Sequence, residues 1–295
     1  MQHQANLFSG RATSPKNTVA PFKTQLLKWI GNKQRFAHEI VSYFPASYGT
    51  YIEPFLGSGA VLGTLAPGKA VAGDACKPLA GIWRLLHDDP GQLTRSYARN
   101  WKAYEKDKVG TYERVKARFN ANQTPEDMLF LSRSCYGGVI RFRKDGYMST
   151  PCGPHRAVSP DSFAHRAALW QERTAGTEFI CADFEETMKH AKRGDLIYCD
   201  PPYFDTQAIL YGAQAFTLDR LYEAIGRAKA KGAFVALSID GKKKSGTKTV
   251  TIDPPDGLFE TEAQVNCGRS MLRRFQMGGQ TLEDELVSDR LLLTW

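Results

Sequence analysis

Asp200-Pro201-Pro202-Tyr203 is the tetrad of this 295-residue chain best equipped for chemistry. It follows the apolar run Asp195-Leu196-Ile197-Tyr198-Cys199, which predicts a buried strand. The tetrad therefore falls where a strand ends and a loop opens, the end at which open α/β sheets bind ligands. Asp200 offers a carboxylate, and the prolines fix the backbone and present carbonyl acceptors. Tyr203 offers a flat ring. The set suits a planar amino-substituted base, with two acceptors for its NH2 group and one face to stack on. On its own the tetrad also reads as a proline turn closing a strand.

A second chemical feature is Glu53-Pro54-Phe55-Leu56-Gly57-Ser58-Gly59, after the strand candidate Thr50 to Glu53. Glycines there allow positive φ and close approach of backbone to a ligand. Asp74 ends the next strand candidate, Lys69 to Gly73, near the spacing at which an acidic side chain meets ribose hydroxyls in nucleotide-binding folds. The full GxGxxG fingerprint is missing, so a phosphate clamp is not specified. An adenosine ligand without phosphate, neutral or cationic, suits the loop better. The absence of GxxxxGK[ST] argues against an NTPase.

These features need elements to hold them. Gln34 to Tyr43 predicts a helix ended by Pro45, and residues 1–22 a flexible N-terminal tail. From Leu79 to about Trp170 helical patterns dominate, rich in Arg, Lys and Tyr. Strands return at Phe179 to Cys181, Asp195 to Cys199, Ala233 to Ile239 and Arg290 to Thr294, with an amphipathic helix over Leu218 to Lys231. The fold class is α/β, with residues 23–85 and 176–295 forming one unit split by a mostly helical insertion, 86–175.

Bulk composition fits this reading. Hydrophobic content of 42% and charged content of 24% are ordinary for a globular protein. A net charge of +8 suits a polyanionic partner. The six cysteines form no CxxC pair and the six histidines are dispersed, so no metal site is implied. No apolar run approaches membrane-spanning length and the start lacks a signal-peptide core, which makes a reduced, cytoplasmic location the expectation.

Taken together, Lys28-Trp29-Ile30-Gly31-Asn32-Lys33, the 53–59 loop and the 200–203 tetrad closely resemble, in content and order, the Dam-like (D12 class, α group) DNA N6-adenine methyltransferases. A fourth block, Leu131 to Phe142 continuing through Gly146, Pro151 and Gly153, resembles the segment with which that family reads its target. The resemblance spans roughly residues 23 to 295 and implies a Rossmann-like methyltransferase fold whose insertion recognises the target. It implies S-adenosylmethionine as cofactor and transfer to the N6 amine of a flipped adenine in double-stranded DNA. Asp200, Pro201, Pro202 and Tyr203 would be catalytic. Trp29, Lys33, Phe55, Gly57, Gly59, Asp74, Asp183 and Asp200 would meet the cofactor, with Phe184 nearby. Lys28, Arg133, Tyr136, Val139, Arg141, Arg143 and Lys144 would meet DNA. Arg141 and Lys28 match base-contacting positions of GATC-reading relatives, and Val139 and Pro151 match apolar positions there. A monomer, with a cognate restriction nuclease as a further partner, completes the expectation.

Some positions depart from the family pattern. Gly137 stands where Asn is common, Pro154-His155 replaces a common Arg-Tyr, residues 241–248 are unusually basic, and 253–266 is long. These bear on the target sequence rather than the chemistry. Two other readings share the motifs: an amino-methyltransferase acting on RNA, and a non-catalytic DNA-binding relative.

Overall fold

Short apolar runs become the parallel strands of one sheet, because a strand buried on both faces needs no polar alternation. The computed structural model describes residues 11–15, 17–202, 216–240, 243–245, 248–250, 254–269 and 286–295. Its strands are β1 (Arg11–Ala12), β2 (Tyr51–Glu53), β3 (Ala70–Asp74), β4 (Thr177–Cys181), β5 (Leu196–Cys199), β6 (Phe234–Asp240), β7 (Lys243–Ser245), β8 (Lys248–Val250), β9 (Thr261–Arg269) and β10 (Leu286–Leu293). The eight-stranded sheet runs β1-β9-β10-β6-β5-β2-β3-β4, and β7 pairs with β8 alone. Within the larger sheet, among the described residues, only β10 runs against its neighbours, antiparallel to both β6 and β9.

The order reverses between β2 and β5, which pair in parallel. The glycine loop after β2 and the Asp200 turn after β5 therefore leave the sheet side by side, at the switch point where such sheets bind ligands. This is the Rossmann-like α/β fold that the sequence predicts.

Helices cover both faces: α1 (Ala37–Ser42), α2 (Ala60–Leu65), α3 (Lys77–Asp88), α4 (Pro90–Lys106), α5 (Lys108–Asn122), α6 (Pro125–Ser134), α7 (Pro160–Arg173), α8 (Phe184–Lys189) and α9 (Leu218–Ala230). Prolines at the starts of α4, α6 and α7 sit where a helix needs no amide donor. Asp89, Asp107 and Ser159 cap α4, α5 and α7 by accepting backbone N–H groups of their first turns. One core cluster runs from the sheet into the helical insertion through Trp83, Tyr97, Phe130 and Trp170. A second, around Ile197, Leu221, Ile225 and Val235, seals the other face. Among the described residues no helix is long and apolar enough to cross a membrane.

Three expectations change. Part of the predicted flexible tail is held: Arg11–Ala12 pairs with Thr261–Glu262 in parallel, the Asn17 amide donates to Ser42 O at 3.1 Å, and the Phe22 ring meets Trp170 edge-on at 5.1 Å. Second, the over-long 253–266 segment contains the start of β9, where polar and apolar residues alternate from Glu262 to Cys267. Third, β10 begins at Leu286, ahead of the predicted Arg290.

Candidate active site

The glycine loop takes its shape from three contacts. Gly57 and Gly59 have φ of +50° and +65°, a region that disfavours side chains. The Trp83 indole donates to Gly57 O at 3.1 Å. Asp74, at the end of β3, accepts the Gly57 amide through Oδ2 and the Cys76 amide through Oδ1, both at 2.9 Å. Burial pushes the Asp74 carboxyl up to about 6, against the pull of those two amides. Gly59 departs from its predicted role. It does not line the cavity, and a Cβ there would meet Trp83 at 3.0 Å, so it serves core packing.

The cavity above this loop is walled by Trp29, Lys33, Phe55, Gly57, Asp74, Asp183, Asp200, Pro201 and Pro202, all predicted from sequence. Phe55 stacks on Phe184 with ring centroids 5.2 Å apart, and Phe216 meets Phe55 edge-on at 5.7 Å. Asp183 accepts the Glu185 amide at 3.0 Å as the cap of α8 and pairs with Arg220 at 3.1 Å. Tyr203 lies outside the described residues.

At the floor, Lys33 is not a solvated cation. Its side chain is 3% exposed, with Nζ 2.7 Å from Asp200 Oδ1 and 3.6 Å from Asp289 Oδ2. Glu53 is buried beside them and accepts from the Tyr51 hydroxyl at 2.7 Å. Burial holds the Glu53 carboxyl up at about 8; the Asp200 charge adds to the rise and the Tyr51 bond opposes it. Glu53, Tyr198 and Phe216 line the cavity without a role read from sequence. Of these, only Glu53 carried a signal, its place at the head of the glycine loop.

The profile of the D12 class N6 adenine-specific DNA methyltransferases matches residues 29–230, more than half of the chain. The chain belongs to that family. The methyltransferase is 28% identical to the Type II methyltransferase M1.LlaDCHI of Lactococcus lactis subsp. cremoris, over 72% of this chain and 79% of that protein. It is 29% identical to a DNA adenine methylase of Vibrio cholerae, over 65% and 71% respectively. With the Retron Ec67 DNA adenine methylase of Escherichia coli it shares 31%, over 67% of this chain and 69% of that protein. The likeness to a solved rRNA methyltransferase, aviRa from Streptomyces viridochromogenes, has a TM-score of only 0.33 at 11% identity, over 85% of this chain and 77% of that one. The fold assignment rests on strand order instead.

In this methyltransferase the predicted reading segment forms a small hairpin. Cys135 faces Cys152 and Phe142 faces Met148 across it. The helical insertion holds it by backbone contacts: the Tyr112 hydroxyl donates to Thr150 O at 2.7 Å, and Asn120 Oδ1 accepts the Met148 amide at 2.7 Å. Lys28, Tyr136, Arg141, Arg143 and Lys144 are exposed on it or next to it, and Val139 is half-buried. Arg143 pairs with Asp145 at 2.9 Å and lies 4.3 Å over the Tyr147 ring. Arg133 is the correction. It is buried, and its Nη1 donates to Gln25 O at 3.0 Å and Leu26 O at 2.8 Å, anchoring the segment that carries Lys28. Its place at the end of α6 turns it inward. Lys242 lies outside the described residues, while Lys243–Ser245 forms β7 against β8.

Proposed function

We propose that this methyltransferase moves a methyl group from S-adenosylmethionine to the N6 amine of an adenine extruded from duplex DNA, within GATC or a related site. The observation that carries the reading is the convergence of Asp200, Pro201, Asp74 and the glycine loop on one cavity. The residues fit the cofactor. The Phe55, Phe184 and Phe216 cluster offers an apolar seat for a purine, Asp74 an acceptor for ribose hydroxyls, and Gly57 close backbone approach. Trp29 and Lys33 complete the wall beside the tail of such a ligand. The bound sulfonium supplies an electrophilic methyl group.

The chain's own residues act on the amine. The Asp200 carboxylate and the Pro201 carbonyl accept its two N–H bonds and direct its lone pair outward. Placement and electrostatics are the main sources of acceleration. Tyr203 stacks on the extruded base, whose release from the duplex costs a few kcal/mol. Residues 23–85 and 176–295 form the catalytic unit, and 86–175 the recognition domain that presents Lys28's partner hairpin to DNA. Arg141 reads a guanine edge, while Arg143 and Lys144 hold phosphate. The enzyme works as a cytoplasmic monomer. A partner nuclease belongs to the same reading, since one relative is by name a Type II methyltransferase.

The test is methyl transfer from S-adenosylmethionine to matched duplex DNA and RNA, with the modified positions mapped. N6-methyladenine at one short motif in DNA is expected, and Asp200→Ala should lower turnover by roughly a hundredfold or more. Transfer to RNA alone, or turnover within about tenfold of wild type in Asp200→Ala, would sink the reading.

A further inference from the structure

The strand that runs against the sheet delivers a carboxylate to the site from beyond the matched residues 29–230. Because β10 is antiparallel, its first residues lie at the carboxyl ends of the parallel strands, where the cavity opens. Asp289 pairs in register with Asp240, the last residue of β6, and its side chain is 7% exposed. It reaches Lys33 Nζ at 3.6 Å, while Asp200 lies on the same ammonium at 2.7 Å.

The two distances mean different things. At 2.7 Å the Lys33–Asp200 contact is a charge-assisted hydrogen bond. At 3.6 Å the Asp289 contact is too long for one and acts through charge alone. A buried ammonium needs a counterion, and one carboxylate would suffice for neutrality. Here two described carboxylates share it. Among the described residues, Glu53 on β2 and Tyr198 and Cys199 on β5 also face Asp200. Burial raises all three, so none brings a compensating charge at neutral pH.

We propose that Asp289 is a positioning residue for methyl transfer: by sharing Lys33, it loosens the lysine's hold on the Asp200 carboxylate and leaves that carboxylate available as an acceptor for the target amine. The amine gains positive charge as the methyl group arrives. An Asp200 neutralised by its own lysine would answer that charge poorly. Asp289 takes up part of the Lys33 charge and leaves the site with the negative balance the amine needs. It touches neither substrate nor cofactor in this role.

The inference rests on the proposed adenine methylation, and the experiment separates the two. The kcat, both KM values and the pH–rate profile would be measured for the wild type and for Asp289→Asn, Asp289→Ser and Asp289→Glu. In the Asn and Ser variants kcat should fall about tenfold, with KM for DNA and for S-adenosylmethionine within about twofold. The acid limb of kcat should move to lower pH, because Lys33 then favours the ionised form of Asp200 alone. Asp289→Glu should recover part of the lost kcat. Folded Asn and Ser variants with wild-type kcat and an unmoved acid limb would reduce Asp289 to a packing residue and overturn the inference. If neither neutral variant folds, Asp289→Glu must still show a lowered kcat at unchanged KM, and a wild-type kcat there overturns it as well. A wild type that does not methylate adenine in DNA would defeat the functional reading, and the inference with it.

Discussion

Gly138 lies against the Lys28 side chain so closely that a Cβ on the glycine would sit 2.6 Å from Lys28 Cδ and 3.0 Å from Lys28 Cβ. Gly138 also has φ of +68°, which disfavours any side chain. The 135–152 hairpin and the N-terminal lysine block are thus interlocked, although 110 residues of chain order separate Gly138 from Lys28.

Gly138→Ala should therefore misplace Lys28 and strain the hairpin by about 1–2 kcal/mol. DNA affinity should fall by roughly tenfold, which is about 1.4 kcal/mol, with cofactor affinity unchanged. Paired titrations with duplex DNA and with S-adenosylmethionine check this. Equal loss of both would mean that the glycine supports the whole fold rather than the DNA side.

Arg133 should behave as an anchor rather than as a reader of bases. Its buried guanidinium donates to Gln25 and Leu26 carbonyls. Arg133→Ala leaves those acceptors without their donor and should cost roughly 2–4 kcal/mol of stability. Arg141→Ala, at an exposed position, should leave stability almost unchanged and relax selectivity at one base pair, by about 1–3 kcal/mol. Thermal melts and methylation-site profiling of both variants separate the roles. An altered motif with an unchanged melt in Arg133→Ala would reverse the assignment.

Asp74 has two duties, orienting the glycine loop and facing the cavity. Asp74→Asn keeps the shape but turns one acceptor into a donor that meets a backbone N–H. Cofactor affinity should drop about tenfold, with a stability loss of about 1 kcal/mol or more. Calorimetric titration with S-adenosylmethionine is the measurement. A dissociation constant equal to the wild type's would limit Asp74 to shaping the loop.

Glu53 makes a pH-dependent prediction. Its carboxyl rises from an ordinary 4.5 to about 8 in the folded chain. Between those values the folded state holds a proton that the unfolded state has released, so stability falls as pH rises. The contribution is complete below about 4.5 and lost as pH passes about 8. The loss is on the order of a few kcal/mol. Glu53→Gln retains an acceptor for Tyr51 and removes the titration. Urea unfolding at about pH 5 and pH 8.5 should show the wild type losing stability relative to the variant across that window. Parallel changes in the two proteins would place the Glu53 titration elsewhere.

The parallel strands and the site loops were legible in the chain itself. Leu196–Cys199 and Ala70–Asp74 are nearly continuous apolar runs, which a doubly covered sheet requires. The residues that end them, Asp200 and Asp74, could be placed at the ligand edge without coordinates, because carboxyl ends of adjacent parallel strands meet there. Strand β9 was legible but missed: Glu262 to Cys267 alternates polar and apolar residues with period two, though its apolar positions are few and small. Tertiary structure alone decided which charges face inward. Arg133 and Arg141 look alike in one basic segment, yet packing of α6 buries the first and the hairpin exposes the second. Lys33 reads as a helix-end cation until the fold closes two carboxylates around it. One of those, Asp289, lies 256 positions away by number and arrives only because β10 runs antiparallel, an arrangement set by long-range pairing that no local pattern encodes.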